Sequence, residues 1–491
     1  MAGVPYRLAA ALAMVALAVA GALGTLSAGA DRASAQVGGR PNFVVIQTDD
    51  QTYASLVDRR VGRRTMPKTR SLLIDQGTTF ENYFATHPRC CPSRASLLTG
   101  QYSHNHGIVE NYLGYARFDH QRALPVWLDD AGYTTGQIGK LLNGYRGSSL
   151  EALPVPPGWD DWRGEVTANL SLYDYDLVER SPGASEPRTR HFGNRTRDYQ
   201  TDVYARLAAN FITARASEPE PDPFFLMVNP AAPHKAKTDG LKENPQPAPR
   251  HRGSLRDEDL PRPPSFSEKD VSDKPGFIRR KSRIGADEER TIERRYQDRL
   301  TSLRAIDDLV ERVVQTLSDT GALGNTVIVF TSDNGFFQGE HRIAGGKIDL
   351  YEEAVHLPLV VRGPGVPPGA TRQQLVGNID LAPTILELAG AKPDEGHEID
   401  GQSLLPFIQD PAAVGRRDLL LDNGASGSKG VRTHRWAYYE HPRGRELYDL
   451  KRDPHQLQSL HDRARDQDRL RQMADKLSAL STCAGESCRA P

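Results

Sequence analysis

Short apolar runs rich in β-branched residues recur along the chain, each ending in polar residues: Asn42-Phe43-Val44-Val45-Ile46, Phe224-Phe225-Leu226-Met227-Val228, Thr326-Val327-Ile328-Val329-Phe330 and Leu357 to Val361. Such runs predict strands buried on both faces. Tyr133 to Gly139 reads as a further short strand. Between them, apolar residues at three- and four-residue steps predict helices over residues 65–76, closing at Gly77, and over Leu124 to Ala131. A long amphipathic helix follows through Ile292, Tyr296, Leu300, Leu303, Ile306, Val310, Val313 and Leu317, and another runs from Ile379 to Leu388. The charged face of the long helix is expected to be solvated. The alternation predicts an α/β fold, a large mostly parallel sheet sandwiched by helices.

Two stretches break this pattern. Residues 235–285 are Pro-rich and charged without apolar periodicity, which reads as a long surface loop or insertion bordering the substrate. After Gly401 come short strand-like pieces at 436–439 and 446–450 and a helix near 464–480, a smaller C-terminal α+β subdomain. The expected division is an export signal at 1–35, a main α/β domain at 36–400 and the subdomain at 401–491.

The signal rests on Arg7, the uncharged stretch from Leu8 to Ala30 and the Ala33-Ser34-Ala35 box. An uncleaved membrane anchor is the alternative, but the second half of the stretch is Gly, Ser and Ala. Cleavage near Ala35 and a secreted or extracytoplasmic protein without stable membrane insertion are expected. Lys and Arg number 62 against 63 Asp and Glu, a formal charge of −1, so no global basic field argues for nucleic acid. Any anion selectivity must be local. The cysteines are Cys90, Cys91, Cys483 and Cys488. Several pairings are open on paper; if Cys90 is modified, Cys483 with Cys488 is the economical one.

Candidate chemistry follows the strands. In open parallel sheets ligands gather at the carboxyl ends of strands, so Asp49-Asp50 and Asp333-Asn334 can converge. They offer hard oxygen ligands, which select Ca²⁺ or Mg²⁺ over zinc or copper, and Ca²⁺ accepts irregular carboxylate cages more readily. Taken singly, each pair also suits an ordinary Asx turn. The stretch from Cys90 to Gly100, Cys-Cys-Pro-Ser-Arg-Ala-Ser-Leu-Leu-Thr-Gly, reads as a helix opening, with Pro92 in the first turn and Gly100 as the stop. A helix N-terminus attracts anions, and Arg94 stands one turn after Cys90.

This stretch resembles the Cys-x-Pro-Ser-Arg…Thr-Gly signature of the type I sulfatases. The resemblance extends from about Pro41 to Leu460 and includes the Leu-Tyr-Asp-Leu segment at 447–450. It implies that Cys90 is oxidised to formylglycine by a formylglycine-generating enzyme, leaving Cys91 a bystander. It also implies one divalent ion, Ca²⁺ before Mg²⁺, held by Asp49, Asp50, Asp333 and Asn334 with Cys90 beside it. Arg94, Lys140 and Lys347 are implied to neutralise sulfate oxygens, and His234, after Ala232-Pro233, to act as general acid. The implied reaction is attack of a hydrate oxygen on sulfur, protonation of the departing alcohol and collapse of the sulfated hydrate to aldehyde and sulfate.

Arylsulfatases often carry histidine two residues beyond the lysine equivalent to Lys140, where this chain has Leu142 and then Asn143. The run from Gly139 to Tyr145, with Cys90-Cys91 and His104-Asn105-His106, is instead similar to the N-acetylglucosamine-6-sulfatase branch. Asn143 and His106 are then expected to contact the sugar. The expectation is an exported sulfatase acting on a sugar sulfate or glycan. The rivals are a phosphodiesterase or phosphonate monoester hydrolase with the same nucleophile, and a non-catalytic glycan-binding protein with an unmodified Cys90.

Overall fold

Alternate residues of the central strands enter two separate cores, and this period of two organises the fold. In strand β1 (Asn42–Thr48), Phe43 and Val45 enter one core while Val44 and Ile46 enter the other. The computed structural model describes residues 39–112, 114–146, 153–166, 171–236, 244–347, 349–424 and 426–489. The larger sheet continues with β2 (Thr78–Phe84), β3 (Thr134–Gly139), β4 (Asp161–Glu165), β5 (Tyr175–Arg180), β6 (Arg188–Phe192), β7 (Phe224–Asn229), β8 (Thr326–Ser332), β9 (Leu359–Arg362) and β10 (Ala370–Gly377). These lie in the order β10-β2-β9-β8-β1-β7-β3-β4-β5-β6. From β8 to β4 every neighbouring pair is parallel. Strand β9 runs against both β8 and β2, and β5 and β6 add an antiparallel edge.

Helices cover both faces. On one lie α1 (Cys90–Thr99), α2 (Leu124–Asp130) and α5 (Leu381–Ala389); on the other lie α3 (Gln200–Ala216) and α4 (Ala286–Asp319). Leu97, Trp127 and Ile385 pack with Phe225 and Val329 on the first face, while Phe211, Ile306 and Val313 pack with Leu226 and Ile328 on the second. A second, antiparallel sheet consists of β11 (Asp418–Asn423), β12 (Ser428–Thr433), β13 (Trp436–His441) and β14 (Gly444–Asp449). Helix α6 (Gln467–Leu480) shares a core with it through Leu470, Met473 and Leu477. From Arg40 onward the chain forms one compact unit. Cys483 and Cys488 are joined, S–S 2.02 Å, and Cys90 and Cys91 are free thiols.

The α/β class, the mostly parallel sheet and the smaller C-terminal sheet agree with the sequence. The helix expected over 65–76 is broken instead: a helix at Arg59–Thr65 stops at Met66 (φ −136°, ψ 57°), and Pro67 opens a short turn that runs into a π-helical Arg70–Ile74. Pro67 has no N–H to continue the first helix. The 235–285 stretch is more structured than expected of a loop: among its described residues Leu255 and Leu260 are buried in a small core with Ile292, Tyr296 and Leu300 of α4. The export signal at 1–35 lies outside the described residues. Among the described residues no helix is long and apolar enough to cross a membrane.

Ile328 is fully buried at the centre of β8. Ile328→Ala is expected to lower stability by about 2–5 kcal/mol. Urea unfolding should show a lower midpoint with an unchanged slope.

Candidate active site

Strands β8, β1, β7 and β3 are adjacent and parallel, so their carboxyl ends share one edge of the sheet. The β1-β8 register pairs Thr48 with Ser332, and the residues that follow, Asp49-Asp50 and Asp333-Asn334, emerge side by side. His234 lies beyond β7 and Lys140 directly after β3. The N-terminus of α1 adds Cys90. Asp49, Asp50, Cys90 and Asp333 are all buried, and each offers a ligand atom within 4.8 Å of the others.

Local bonds fix this cluster. The Asp50 N–H donates to Asp333 Oδ1 at 3.1 Å and the Asp333 N–H to the Thr48 carbonyl at 3.1 Å. Asp50 has φ 68°, in the left-handed region that few residues but glycine, asparagine and aspartate enter. Asn334 Nδ2 donates to Asp50 Oδ1 at 2.7 Å and to the Gly335 carbonyl at 3.0 Å, leaving Asn334 Oδ1 buried without a hydrogen-bond partner. Three carboxylates and an unsatisfied amide oxygen are a hard, all-oxygen donor set that fits Ca²⁺ or Mg²⁺.

Cations answer the carboxylates. Lys140 Nζ bonds Asp49 Oδ2 at 2.5 Å, and Arg94 Nε bonds Asp333 Oδ2 at 2.9 Å. Arg94 Nη1 also donates to the Lys140 carbonyl at 2.6 Å, and its Nη2 stands 3.5 Å from Asp49 Oδ2. Lys347 Nζ bonds Asp50 Oδ1 and lies 2.9 Å from Cys90 Sγ. Burial alone would raise the pKa of Asp49, yet Lys140, His234, Lys347 and Arg94 hold it well below the usual carboxylate range. Burial, with Asp49 nearby, pushes the Cys90 thiol up to about 12. His234 donates from Nδ1 to the Lys235 carbonyl at 2.6 Å, so Nε2, 3.7 Å from Asp50 Oδ2, faces the cluster. Burial lowers its pKa, against the pull of Asp50 and Asp49.

Asn143 and His106 are placed differently from each other. Asn143 Oδ1 is buried without a hydrogen-bond partner, while its backbone N–H donates to Cys91 Sγ at 2.9 Å. His106 has both ring nitrogens committed within the protein: Nδ1 accepts from the Ile108 N–H at 3.1 Å and Nε2 bonds Ser96 Oγ at 3.0 Å. Burial lowers its pKa to about 3 and keeps it neutral.

Comparison with known proteins decides what this assembly belongs to. Residues 41–391 match the family described as Sulfatase, and residues 339–482 match N-sulphoglucosamine sulphohydrolase, C-terminal. The chain belongs to the sulfatase family. It is thus a sulfuric ester hydrolase. This sulfatase is 33% identical to an arylsulfatase of Volvox carteri, covering 92% of this chain and 76% of that one. It is 32% identical to the N-acetylglucosamine-6-sulfatase of Homo sapiens, covering 92% and 86%. Its fold is shared, at 24% identity and TM-score 0.74, with a protein solved in complex with its substrate D-glucosamine-2-N,6-O-disulfate, over 90% of this chain and 97% of that one. The phosphonate monoester hydrolase from Silicibacter pomeroyi shares it at 20% identity and TM-score 0.69, over 89% and 94%.

Two residues of the sulfatase site escaped the sequence reading. Arg299 of α4 is a charged residue buried on the helix's apolar side; it donates to the backbone carbonyls of Asp50 and, at 3.2 Å, of Pro233, and lies 3.9 Å over the Phe336 ring. The signal was its position between Tyr296 and Leu303 on the apolar stripe. Cys91, expected to be a bystander, ties three segments together. Its N–H donates to Asn111 Oδ1 at 2.9 Å, its sulfur accepts from Asn143, and a Cβ on Gly114 would come within 2.5 Å of that sulfur. Only sequence-distant contacts reveal this role.

Gly114→Ala should therefore destabilise the sulfatase by about 1–3 kcal/mol through overpacking. In a Cys91→Ala background part of that cost should disappear, giving a coupling of about 0.5–3 kcal/mol in a double-mutant cycle read by urea unfolding. Additive effects would show that the two residues do not press on each other.

Proposed function

We propose that this sulfatase is exported and that Cys90 is converted to formylglycine by a formylglycine-generating enzyme. We further propose that it binds Ca²⁺ through Asp49, Asp50, Asp333 and Asn334 and hydrolyses a sulfate ester of a sugar of the N-acetylglucosamine 6-sulfate kind. One observation carries the reading: Cys90 Sγ sits inside the carboxylate cluster at the mouth of α1, 2.9 Å from Lys347 Nζ. A thiol held at about 12 is protonated near neutral pH and a poor nucleophile, which favours a converted side chain at this position. The relatives that act on N-acetylglucosamine sulfates support the sugar, and the composition of residues 1–35 supports export.

The modified side chain would supply an aldehyde hydrate as nucleophile, and the ion a positive charge against the sulfate oxygens. Around them the chain's own groups have definite tasks. Lys140 and Arg94, both buried, neutralise Asp49 and Asp333 and present charge to the sulfate oxygens where water cannot screen it. Lys347 links Asp50 to the nucleophile's position and helps orient it. The Lys235 carbonyl fixes the His234 tautomer, leaving Nε2 to pass a proton to the departing alcohol. Asn143 turns its unsatisfied amide oxygen to a sugar hydroxyl. His106, with both nitrogens spent, serves by holding α1 rather than by touching the sugar.

The deciding experiment measures sulfate release from N-acetylglucosamine 6-sulfate and from an aryl sulfate, using protein made with a formylglycine-generating enzyme. Both substrates should turn over, and Cys90→Ala should lower the rate by more than about 10⁴-fold with its thermal unfolding unchanged. Phosphate release from a phosphoester without sulfate release, with Cys90 shown to be converted, would replace this reading by the phosphoester hydrolase. Asp50→Asn should weaken calcium binding in isothermal titration, because the charge of the ligand set governs affinity. An unchanged titration would remove Asp50 from the ion's ligands.

A further inference from the structure

We propose that the basic segment at residues 279–283, joined to Lys269 by Arg342, is a docking surface for an extended sulfated glycan chain. The proposal rests on the sugar-sulfatase reading above and names a polymer as the substrate class. Arg279-Arg280-Lys281-Ser282-Arg283 sits within the charged insertion, in a chain whose overall charge is only −1. Lys269, Arg279, Arg280 and Arg283 are exposed. Among the described residues the side chains of Lys269, Arg279, Arg280 and Lys281 have no ion pair or hydrogen bond.

Several other basic residues of the region are matched instead: Arg64 with Asp257 and Glu258, Arg250 with Asp202 and Asp308, Arg262 with Glu289. Two of the acids beside the segment are also spent. Glu268 pairs with Lys274 and His341, and Asp273 with Lys274 and the Ser459 N–H. Asp270 alone stands exposed beside Lys269.

The cations are held together by another cation. Arg342 donates from Nε to the Glu268 carbonyl at 2.8 Å, from Nη1 to the Lys281 carbonyl at 2.9 Å and from Nη2 to the Lys269 carbonyl at 2.7 Å. One guanidinium thus fastens both basic stretches to the loop that carries it. The same loop is bonded to the insertion through Ser267 N–H to the Gly339 carbonyl at 2.9 Å and His341 N–H to the Ser265 carbonyl at 2.8 Å. Like charges gathered within a screening length of about 8–10 Å repel, and a repeating polyanion relieves that repulsion. A cleft of about 640 Å³ opens alongside, lined by Lys269, Arg283 and Arg463 and by the acids Glu268, Asp270 and Asp273, so the free cations Arg279, Arg280 and Lys281 lie on the segment itself rather than in the cleft.

The location suits a substrate longer than one sugar. Lys347, at the catalytic cluster, follows Arg342 by five residues, which limits their backbone separation to about 18 Å. A chain bound across the patch can therefore reach the centre and engage both at once.

The test compares a heparin oligosaccharide with N-acetylglucosamine 6-sulfate and an aryl sulfate, using wild type and a variant carrying Arg279→Ser, Arg280→Ser, Lys281→Ser and Arg283→Ser. The variant should lose about tenfold or more in kcat/KM on the oligosaccharide, mainly through KM, with a shallower salt dependence and unchanged turnover of both small substrates. Lysine at the three arginine positions should restore most of the loss. An unchanged oligosaccharide rate, or an equal fall on the aryl sulfate, would overturn the proposal. Elution of Cys90→Ala protein from immobilised heparin tests the surface without catalysis, so failure of the sugar-sulfatase reading stays distinguishable. The patch substitutions should shift that elution to lower salt. If they weaken binding to duplex DNA or phosphatidylserine vesicles while leaving heparin elution unmoved, the glycan assignment is wrong.

Discussion

Three carboxylates crowded into a space 4.8 Å across would repel one another strongly if nothing opposed them, and burial adds a desolvation cost to each. The rest of the site answers that charge. Lys140 comes from the end of β3, Arg94 from the second turn of α1 and Lys347 from a loop beyond β8, so three separate parts of the chain converge on Asp49, Asp50 and Asp333. Charge is balanced among these groups before any ion enters. A bound dication would leave the pocket net positive, the condition under which a sulfate ester is drawn in.

The sheet makes this balance possible. A parallel register between β1 and β8 is the cheapest way to bring aspartates nearly three hundred residues apart to one edge, because the strands are held by continuous backbone pairing and by alternate side chains locked into two cores. The register also explains why Asp50 tolerates a left-handed backbone. Its N–H is pinned by Asp333 and its carbonyl by Arg299, so the surrounding bonds over-determine the conformation.

Strongly apolar strands such as Thr326 to Phe330 were readable because they are buried on both faces, and the acidic residues that close them announced the carboxylate cluster. Strands β4, β5 and β6 were not readable: Arg188-Thr189-Arg190-His191-Phe192 is an exposed edge whose polar sequence carries no periodic signal. Strand β10 was missed for a related reason, since Arg372 and Gln374 are buried polar residues bonded to the carbonyls of Phe407, Ile408, Pro411 and Ala413. Cys90 and the two lysines were singled out through motif resemblance, and the structure brings them together. Arg299 and Cys91 were not, because each acts through backbone groups far away in sequence. His106, expected to contact the sugar, has both ring nitrogens engaged in internal bonds that no sequence pattern announces.

The burial of Cys90 has a consequence in time. Only 1% of it is exposed once the chain is folded, and its wall includes Asp333, which leaves the ribosome more than two hundred residues later. Any catalyst that must handle this thiol therefore works against the clock of synthesis and folding. It has ready access while β8 is still unmade or unpaired, and once the sheet closes only a sliver of the side chain is left to reach. If Cys90 is converted as proposed, the fraction of active molecules is set by a race between an enzyme and a fold, a property of the cell that makes the protein as much as of the protein itself.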